Sequence, residues 1–344
     1  MLEGWAGDED VDAWLVPINP VPPRPFDRLL EIKFVRTAMT QLCYWPLLLR
    51  ELPRADVVHI FSASYSSFLL APLPAVLVAK LFGKPVVLNY HSGEAADHLR
   101  RSALARVVLS RVVDLNVVPS PYLRDVFASF GIGAQVVANS IDLDRFAYRP
   151  RTTIAPRLLS TRNFEPLYNV ACTLRAFARV QERYPEASLT VIGGGSQEQA
   201  LRELAGSLGL RHVTFAGRVR PQEIHHYYAG ADVYVQTPSI DNMPLSVLEA
   251  FASGLPVVST RVGGVPAILT DKVHGLLADD NDDAAVAARI IDVIQAPDAA
   301  RARAEAARRT CDVLDWAVIR NQWLDIYRAA ADGGAHRPTV PAEA

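Results

Sequence analysis

The chain has 344 residues and a mass of 37.7 kDa, which is enough for two domains of ordinary size. Its 35 Lys and Arg residues nearly balance its 37 Asp and Glu residues, giving a net charge of −2 and arguing against a nucleic-acid-binding protein. Half of the residues are hydrophobic, which excludes wholesale disorder. Cys43, Cys172 and Cys311 form no CxxC pair, which argues against a disulfide framework or a thiolate zinc site and favours a reducing, cytoplasmic environment.

Short apolar runs alternate with helical patterns along the chain. The apolar run at 67–79 contains Pro72 and Pro74 and is shorter than a spanning helix of about 20 residues, so it predicts a buried helix. Strands are predicted at 13–18, 57–61, 85–90, 115–118, 157–160, 188–192, 213–215, 233–236 and 256–259. Helices are predicted at 174–183, 197–208, 222–229, 246–253 and 314–328. Repeated βα units of this kind predict α/β domains with doubly wound parallel sheets.

A polar stretch at 144–153 divides these strands into two groups. We therefore predict two Rossmann-like domains at 1–148 and 149–316, a C-terminal helix at 317–330 and a disordered tail at 331–344.

The segment 237–259 carries the strongest chemical signal. A strand leads into a loop with Asp241 and then into a helix that carries Glu249, eight residues later. The N-terminus of a helix favours phosphate groups, and two carboxylates at this spacing can accept hydrogen bonds from two hydroxyl-bearing parts of one ligand. The alternative is structural: Asp241 or Asn242 caps the helix, and Glu249 is a solvated helical residue.

This segment resembles the E-x7-E region of family-4 retaining glycosyltransferases, with Asp241 in place of the first glutamate. Gly263 and Gly264 match the glycine-pair loop of that family and precede its hairpin. The segments 189–195 and 215–219 resemble its nucleotide-domain strand, glycine turn and next strand end, and 56–59, 88–91 and 137–142 fit its first domain. The resemblance covers nearly the whole chain.

The resemblance implies a GT-B fold, in which two Rossmann-like domains face each other across a cleft and the final helix crosses back. It further implies transfer of a hexose-type sugar, with retention and without a metal or other cofactor, from a nucleotide-sugar to a glycan or lipid-linked acceptor in polysaccharide and cell-envelope synthesis. The catalytic residues would be His91, near the donor sugar, and Asp241, on its hydroxyl groups. Glu249 would bind the ribose, and the remaining donor-binding residues would be Arg162, Asn242, Met243, Leu245, Ser246, Gly194 and Arg218.

Three departures from the family pattern bear on activity. Leu167 and Tyr168 stand where the family has a diphosphate-binding lysine, so Arg218 or another base would have to compensate, and Asp241 is one methylene shorter than glutamate. The family's opening βα unit is also absent before 13–18, and we expect an N-terminally truncated chain whose second domain binds nucleotide alone. The alternative function is a catalytically impaired nucleotide- or sugar-binding scaffold.

Several weaker motifs are given structural interpretations. Asp142 and Asp144 mimic a DxD metal motif but lie where the family has a hinge turn, so no metal is assigned there. His225 and His226 lie on a helix with Tyr227 and Tyr228, and we interpret them as part of a surface-to-core pattern rather than as metal ligands. The glycines at 193–195 lack GxGxxG spacing, which disfavours a nicotinamide dehydrogenase.

A basic amphipathic helix is predicted around Arg100, Arg101, Arg106 and Arg111. Such a helix can rest on an anionic membrane surface, here the inner membrane face, or form a solvated rim over a buried apolar stripe.

Overall fold

The computed structural model describes residues 2–22 and 32–333, which form two compact units. The first unit holds the chain up to Ala138 together with the part from Arg320 onward, and the second runs from Asn139 to Ile319. The division after Ala138 lies ten residues before the predicted boundary at 148. Most of the predicted tail, residues 334–344, lies outside the described residues.

The first unit contains a parallel sheet in the order β1-β2-β3-β4. Its strands are β1 (Val58–Ser62), β2 (Val86–Tyr90), β3 (Leu115–Val118) and β4 (Gln135–Val136). All residues of β2 and β3 are buried, as expected for a parallel sheet covered on both faces.

In residues 2–22 and 32–138 the α-helices are α1 (Leu2–Trp5), α2 (Lys33–Glu51), α3 (Tyr65–Leu70), α4 (Pro72–Leu81), α5 (Ala95–Arg101), α6 (Ala103–Val107) and α7 (Pro121–Ser129). A 3₁₀ turn at Leu52–Arg54 and a π-helical turn at Val108–Val112 complete the described part. Large buried side chains such as Phe68, Leu88, Leu99 and Phe127 fill the core.

The second unit contains a six-stranded parallel sheet in the order β10-β9-β8-β5-β6-β7. The strands are β5 (Arg157–Ser160), β6 (Ser188–Ile192), β7 (Val213–Gly217), β8 (Val233–Val235), β9 (Val257–Thr260) and β10 (Leu276–Ala278). The strand order reverses beside β5, which lies between β6 and β8. Ligands of doubly wound sheets bind outside the carboxyl ends of the strands at this switch point.

The helices of this part are α8 (Val170–Arg183), α9 (Glu198–Ser207), α10 (Ile224–Gly230), α11 (Leu245–Ala252), α12 (Val265–Ile268), α13 (Asp283–Gln295) and α14 (Pro297–Thr310). A last helix, α15 (Trp316–Ala331), begins in this unit and continues into the first. Two 3₁₀ turns lie at Pro166–Tyr168 and Asp312–Leu314. Side-chain caps define two helix starts, because Asn169 accepts from the Cys172 amide and Asp282 from the Ala285 amide.

From Arg320 onward, α15 packs with the first unit. Arg320 donates to Asp8 at 2.8 Å, and the Trp323 ring lies 4.7 Å from that of His59. Buried Trp323 therefore belongs to the same core as β1.

The predicted strand at 13–18 is wrong: the segment is irregular, and Trp14, Leu15 and Ile18 are exposed. Val16 packs against the core of the first unit, but no strand among the described residues pairs with this segment, and Pro17 cannot donate to a ladder. The run at 67–79 forms parts of two helices rather than one, because Pro72 starts a new helix after Ala71. The predicted hairpin after Gly264 instead leads into β10, which pairs in parallel with β9.

The predicted continuous helix around Arg100 and Arg111 is also wrong. Ser102 leaves helical geometry at φ −111° and ψ 96°, and its hydroxyl accepts from the Ala105 amide at 3.1 Å. It therefore ends α5 and caps α6. Arg100 lies at the end of α5, whereas Arg111 lies in the π-helical turn.

Candidate active site

The second unit brings most of the predicted site residues to the switch point of its sheet. Thr161 and Arg162 follow β5, and the loop after β8 leads through Asp241 to α11, which carries Ser246 and Glu249. Polar side chains thus collect where the topology places ligands in sheets of this kind.

Asp241 and Arg162 form an ion pair with 2.6 Å between Oδ2 and Nη2. The guanidinium also donates to Ser246 Oγ at 3.2 Å, and Asp241 Oδ1 accepts from the Asn242 amide at 2.9 Å. Burial raises the pKa of Asp241, and the Arg162 charge opposes that shift. Arg162 Nε is buried with no hydrogen-bond partner among the described residues.

Tyr168 supplies an aromatic surface to the same guanidinium. Its ring lies 4.1 Å from Arg162 Cζ, within the range of a cation–π contact. The turn that carries it is tied to the loop after β8, since the Ser239 amide donates to the Leu167 carbonyl at 2.9 Å. Tyr168, one of the two residues at the position of the expected lysine, therefore holds the Arg162 guanidinium by stacking.

The glycine pair fixes the Asp241 loop. A Cβ at Gly263 would lie 2.0 Å from the Asp241 carbonyl oxygen, and one at Gly264 would lie 2.1 Å from that of Asn242. Gly263 also has a φ of +50°, and the Gly264 amide donates to the Asp241 carbonyl at 3.1 Å. Only glycines permit this approach, which explains the pair in physical terms.

Glu249 has a neutral partner rather than a cation. The Tyr228 hydroxyl donates to Glu249 Oε2 at 2.6 Å, and Thr161 Oγ1 lies 2.7 Å from the same hydroxyl. Burial raises the pKa of Glu249, and the Tyr228 hydrogen bond is the largest opposing influence. The carboxylate therefore depends on donated hydrogen bonds to stay ionised.

The start of α11 presents backbone amides near these groups. Ser246 is buried, with its hydroxyl between Arg162 and Gln236, whereas Leu245 keeps its side chain 46% exposed. The Met243 carbonyl accepts from Asn139 Nδ2 at 3.0 Å. The first amides of a helix lack partners within the helix and favour anions.

Gly194 and Arg218 also come together. A Cβ on Gly194 would lie 3.0 Å from Arg218 Nε, and the Gly193 amide donates to the Gly217 carbonyl at 2.9 Å. The turn after β6 and the end of β7 thus form one surface, with an arginine lying over glycine backbone.

His91 lies in the first unit, directly after β2. Its Nε2 is buried with no partner among the described residues, and the Phe61 ring is 5.7 Å away. Burial lowers the pKa of His91 to about 4, so the ring is neutral at neutral pH. His59, whose Nδ1 lies 2.8 Å from the Tyr327 hydroxyl, has its pKa lowered to about 3, chiefly by burial.

Sequence reasoning missed Tyr228, Thr161 and the stacking role of Tyr168. Tyr228 stood out only as part of a helical surface-to-core pattern, and that pattern gives no indication of a contact with Glu249. In the described ranges 2–22 and 32–333, no group of three or more His, Cys, Asp or Glu side chains could hold a metal ion. No helix within those ranges is long and apolar enough to cross a bilayer.

Two family models together match most of the chain. The model described as "Glycosyltransferase Family 4" matches residues 5–145, and the one described as "Glycosyl transferases group 1" matches residues 145–310. Glycogen synthase of Mycobacterium tuberculosis is 30% identical over 306 residues, covering 84% of this chain and 72% of that protein. The chain is a family-4 glycosyltransferase.

More distant relatives and solved structures extend the comparison. The GDP-mannose-dependent alpha-(1-6)-phosphatidylinositol monomannoside mannosyltransferase of Mycolicibacterium smegmatis is 27% identical over 76% of this chain and 72% of its own length. Sucrose-phosphate synthase from Thermosynechococcus elongatus superposes with a TM-score of 0.72 at 20% identity, covering 95% of this chain and 87% of that one. Anabaena HepE in complex with UDP-glucose gives 0.70 at 19% identity, over 83% and 82%.

These matches confirm the predicted family and the GT-B fold. The protein is a glycosyltransferase that uses nucleotide-sugar donors.

Proposed function

We propose that this glycosyltransferase transfers a hexose from its nucleotide-sugar to a glycan or lipid-linked acceptor, with retention at the anomeric carbon, in the synthesis of a surface polysaccharide. The observation that supports it most directly is the convergence of Arg162, Asp241 and Glu249 at the switch point of the second sheet. The spacing of the two carboxylates supports retention through its resemblance to the E-x7-E segment. The mannosyltransferase and glycogen synthase relatives support a hexose and these acceptor classes.

In this mechanism the leaving diphosphate is stabilised by groups that are already in place. Arg162 is held by Asp241, Ser246 and Tyr168, so little rearrangement is needed to present a positive charge. Amides at the start of α11 add donors, and preorganised donors of this kind stabilise the charge that develops on a leaving group. Asp241 would accept hydrogen bonds from hydroxyls of the transferred sugar, while Glu249 would bind the ribose.

His91 would contribute a neutral imidazole to the donor sugar. Its buried Nε2 lacks a partner within the described part of the chain, and burial keeps its pKa near 4. A neutral ring can donate or accept one hydrogen bond at each nitrogen according to its tautomer.

We further propose that transfer needs no metal ion, because Arg162 and helix amides supply positive charge at the diphosphate. Transfer measured after dialysis against EDTA should then equal transfer in Mg²⁺ or Mn²⁺. Activity that disappears in EDTA and returns with a divalent cation would contradict this.

Calorimetry against UDP-, GDP- and ADP-sugars tests the assignment. We expect one nucleotide class to bind, and Glu249→Ala to weaken binding roughly tenfold or more through loss of charge-assisted hydrogen bonds. Glu182→Ala, on the exposed face of α8, is the matched control. Binding that Glu249→Ala leaves unchanged would contradict the site, and an inverted anomeric configuration in the product would contradict retention.

The impaired scaffold remains the alternative, because Arg162 is already neutralised by Asp241 and no lysine stands at 167 or 168. Slow hydrolysis of a bound nucleotide-sugar in water distinguishes the two. The enzyme should release nucleotide measurably, whereas a scaffold would bind the donor and leave it intact.

Contact with an anionic membrane is a further part of the proposal. Arg100 and Arg101 are exposed at the end of α5, and Leu104 and Val107 on α6 are 49% and 46% exposed. Exposed apolar side chains beside cations suit a surface of anionic lipid. Sedimentation with phosphatidylglycerol vesicles should exceed that with phosphatidylcholine and fall in Leu104→Ser, whereas Leu208→Ser in the second unit should leave it unchanged.

A further inference from the structure

The buried hydroxyl of Tyr228 links several parts of the candidate site. It lies 2.6 Å from Glu249 Oε2, 2.7 Å from Thr161 Oγ1 and 3.3 Å from the Ser246 carbonyl oxygen. An ionised carboxylate can only accept, so the single phenolic proton goes to Glu249 and the Thr161 hydroxyl donates to the Tyr228 oxygen. The two hydrogen bonds therefore have the same direction: Thr161 donates to Tyr228, and Tyr228 donates to Glu249.

We propose that Tyr228 is a positioning residue that holds Glu249 ionised through Oε2 and leaves Oε1 to accept a hydroxyl of the nucleotide's ribose. This inference rests on the proposed function, because it assigns Glu249 to the donor. Oε1 has no hydrogen-bond partner among the residues that the structure describes. One oxygen of the carboxylate is thus fixed by the protein, and the other is available to a ligand.

The groups that face Glu249 explain why a neutral donor matters. Arg162 after β5 and Arg145 before it both favour the ionised carboxylate, and the buried Tyr234 of β8 also interacts with it. Burial nevertheless raises the pKa of Glu249, and the Tyr228 hydrogen bond opposes that rise more than either arginine does. Removing the phenolic hydroxyl should therefore raise this pKa further.

The buried side chain of Arg151 connects the two helices that carry Tyr228 and Glu249. Arg151 donates to the Tyr228 carbonyl at 2.8 Å and to the Ala231 carbonyl at 3.2 Å, and it also donates to the Ser253 carbonyl. These carbonyls lie at the ends of α10 and α11, the helices that carry Tyr228 and Glu249. A cation at two helix C-termini is favourably placed and ties them together.

The first test follows the Glu249 carboxyl directly. In protein labelled with carbon-13 at glutamate side chains, the Glu249 signal is the one missing from Glu249→Gln, and its titration gives the pKa. We expect Tyr228→Phe to move the inflection to higher pH, whereas Tyr227→Phe on the same helix leaves it in place. An unchanged inflection in Tyr228→Phe would overturn the proposal.

The second test measures binding of UDP or GDP, whichever the unaltered chain prefers, at pH values on both sides of the Glu249 inflection found in the first test. Tyr228→Phe should weaken binding by roughly tenfold at the acidic end and less at the alkaline end, since it removes a hydrogen bond to a charged group. In the Glu249→Ala background, where no carboxylate remains for Tyr228 to position, the same substitution should add no further loss. An equal loss at every pH, or a further loss in that background, would show that Tyr228 acts on the fold and would overturn the inference.

Thr161→Val provides the same test if Tyr228→Phe does not fold. It keeps the Tyr228–Glu249 contact but removes the donor behind it, so the inflection should rise by less. If the inflection moves while the unaltered chain binds neither nucleotide, the proposed function fails and the Tyr228–Glu249 coupling is upheld.

Discussion

Each unit places a pair of largely buried titratable side chains beside its sheet: His59 and His91 in the first, Asp241 and Glu249 in the second. Burial favours the neutral form in both pairs, which lowers the pKa of the histidines and raises that of the carboxylates. The difference lies in their partners. His59 Nδ1 contacts the Tyr327 hydroxyl, but His59 and His91 each keep Nε2 without a hydrogen bond among the described residues. Each carboxylate instead accepts from a donor that favours its ionised form, the Arg162 guanidinium for Asp241 and the Tyr228 phenol for Glu249.

The difference in partners indicates that the two histidines lie in a packed, largely apolar environment, whereas the two carboxylates lie in a site that keeps them charged. In the first unit His59 and His91 pack against aromatic rings such as Phe61 and Trp323, and no acidic side chain among the described residues offsets the effect of burial on them. The second unit supplies Arg162 and Tyr228, which oppose the effect of burial on Asp241 and Glu249. A cation or a hydrogen-bond donor beside a buried carboxylate is expected at a functional site where that carboxylate must stay ionised.

The largest expected effect is acid unfolding of the first unit. His59 has an ordinary pKa of 6.5 that folding lowers to about 3, so between these values the unfolded chain binds a proton that the folded chain does not. The free energy of unfolding therefore falls as the pH falls through this window, by about 1.4 kcal/mol per pH unit for each such group. Fluorescence follows the loss, because Trp5, Trp14, Trp45 and Trp323 all belong to the first unit.

His59→Phe sharpens this prediction, since an apolar ring in the same place cannot titrate. Its acid transition should lie at a lower pH than that of the unaltered protein. The exposed His226 of the second unit gives the control, and His226→Phe should leave the transition unmoved. Identical transitions in all three proteins would show that the buried imidazole does not govern acid stability.

Arg162→Met should have the next largest effect. It leaves the Asp241 carboxylate largely buried without its cation, and breaking a buried pair in this way costs about 3–5 kcal/mol. Denaturant unfolding at pH 7 measures the loss, and nucleotide binding should disappear with it.

The double variant Arg162→Met with Asp241→Leu distinguishes charge from packing. An apolar pair leaves no buried charge, so stability should return towards that of the unaltered protein while nucleotide binding stays lost. If the double variant is as unstable as Arg162→Met, the cation acts by filling space and the charge argument is wrong.

The sequence predicted much of the fold because buried parallel strands leave a strong local pattern. Strands β3, β5 and β6 begin and end at the residues predicted from their apolar runs. The segment 13–18 has the same pattern, but none of the strands in the described ranges pairs with it, and pairing is a tertiary property that a run of apolar residues does not encode.

Only those parts of the site that belong to local sequence motifs could be predicted. The Asp241–Glu249 spacing and the glycine pair are local patterns, and their resemblance to the motifs of a family is enough to predict that they share one site. Tyr228 contacts Glu249 across 21 positions, and Tyr168 reaches Arg162 through a 3₁₀ turn. Both contacts depend on how α10, α11 and the loop after β5 pack together. The residue types of Tyr228 and Tyr168 therefore do not reveal these contacts in the sequence.

A smaller effect is expected from Tyr168→Leu. Loss of the ring removes a cation–π contact of about 1 kcal/mol and lets the Arg162 guanidinium move, which should weaken nucleotide binding several-fold. Tyr168→Phe keeps the ring and should bind nearly as the unaltered protein does. Calorimetry with both variants measures the difference, and equal affinities for Leu and Phe at this position would contradict a role for stacking.

The smallest expected effect is a gain in stability from Glu249→Gln. The raised pKa means that the folded protein binds this proton at a pH where the unfolded chain has released it, so ionised Glu249 destabilises the fold above its ordinary value of 4.5. A neutral amide of the same shape avoids that cost and can still accept from Tyr228. We expect the Tm at pH 7 to rise by about 2 °C while nucleotide binding weakens, which is the usual trade between stability and function at a site.

The pH dependence of this gain identifies its cause. Below pH 4.5 the glutamate is protonated in both states, so the unaltered protein and Glu249→Gln should then have equal Tm values, and the difference should grow as the pH rises. The opposite trend is expected for His59→Phe, whose advantage grows as the pH falls. A Glu249→Gln difference that is constant with pH, or a loss of stability at pH 7, would mean that the carboxylate contributes to the fold rather than being held in it for a ligand.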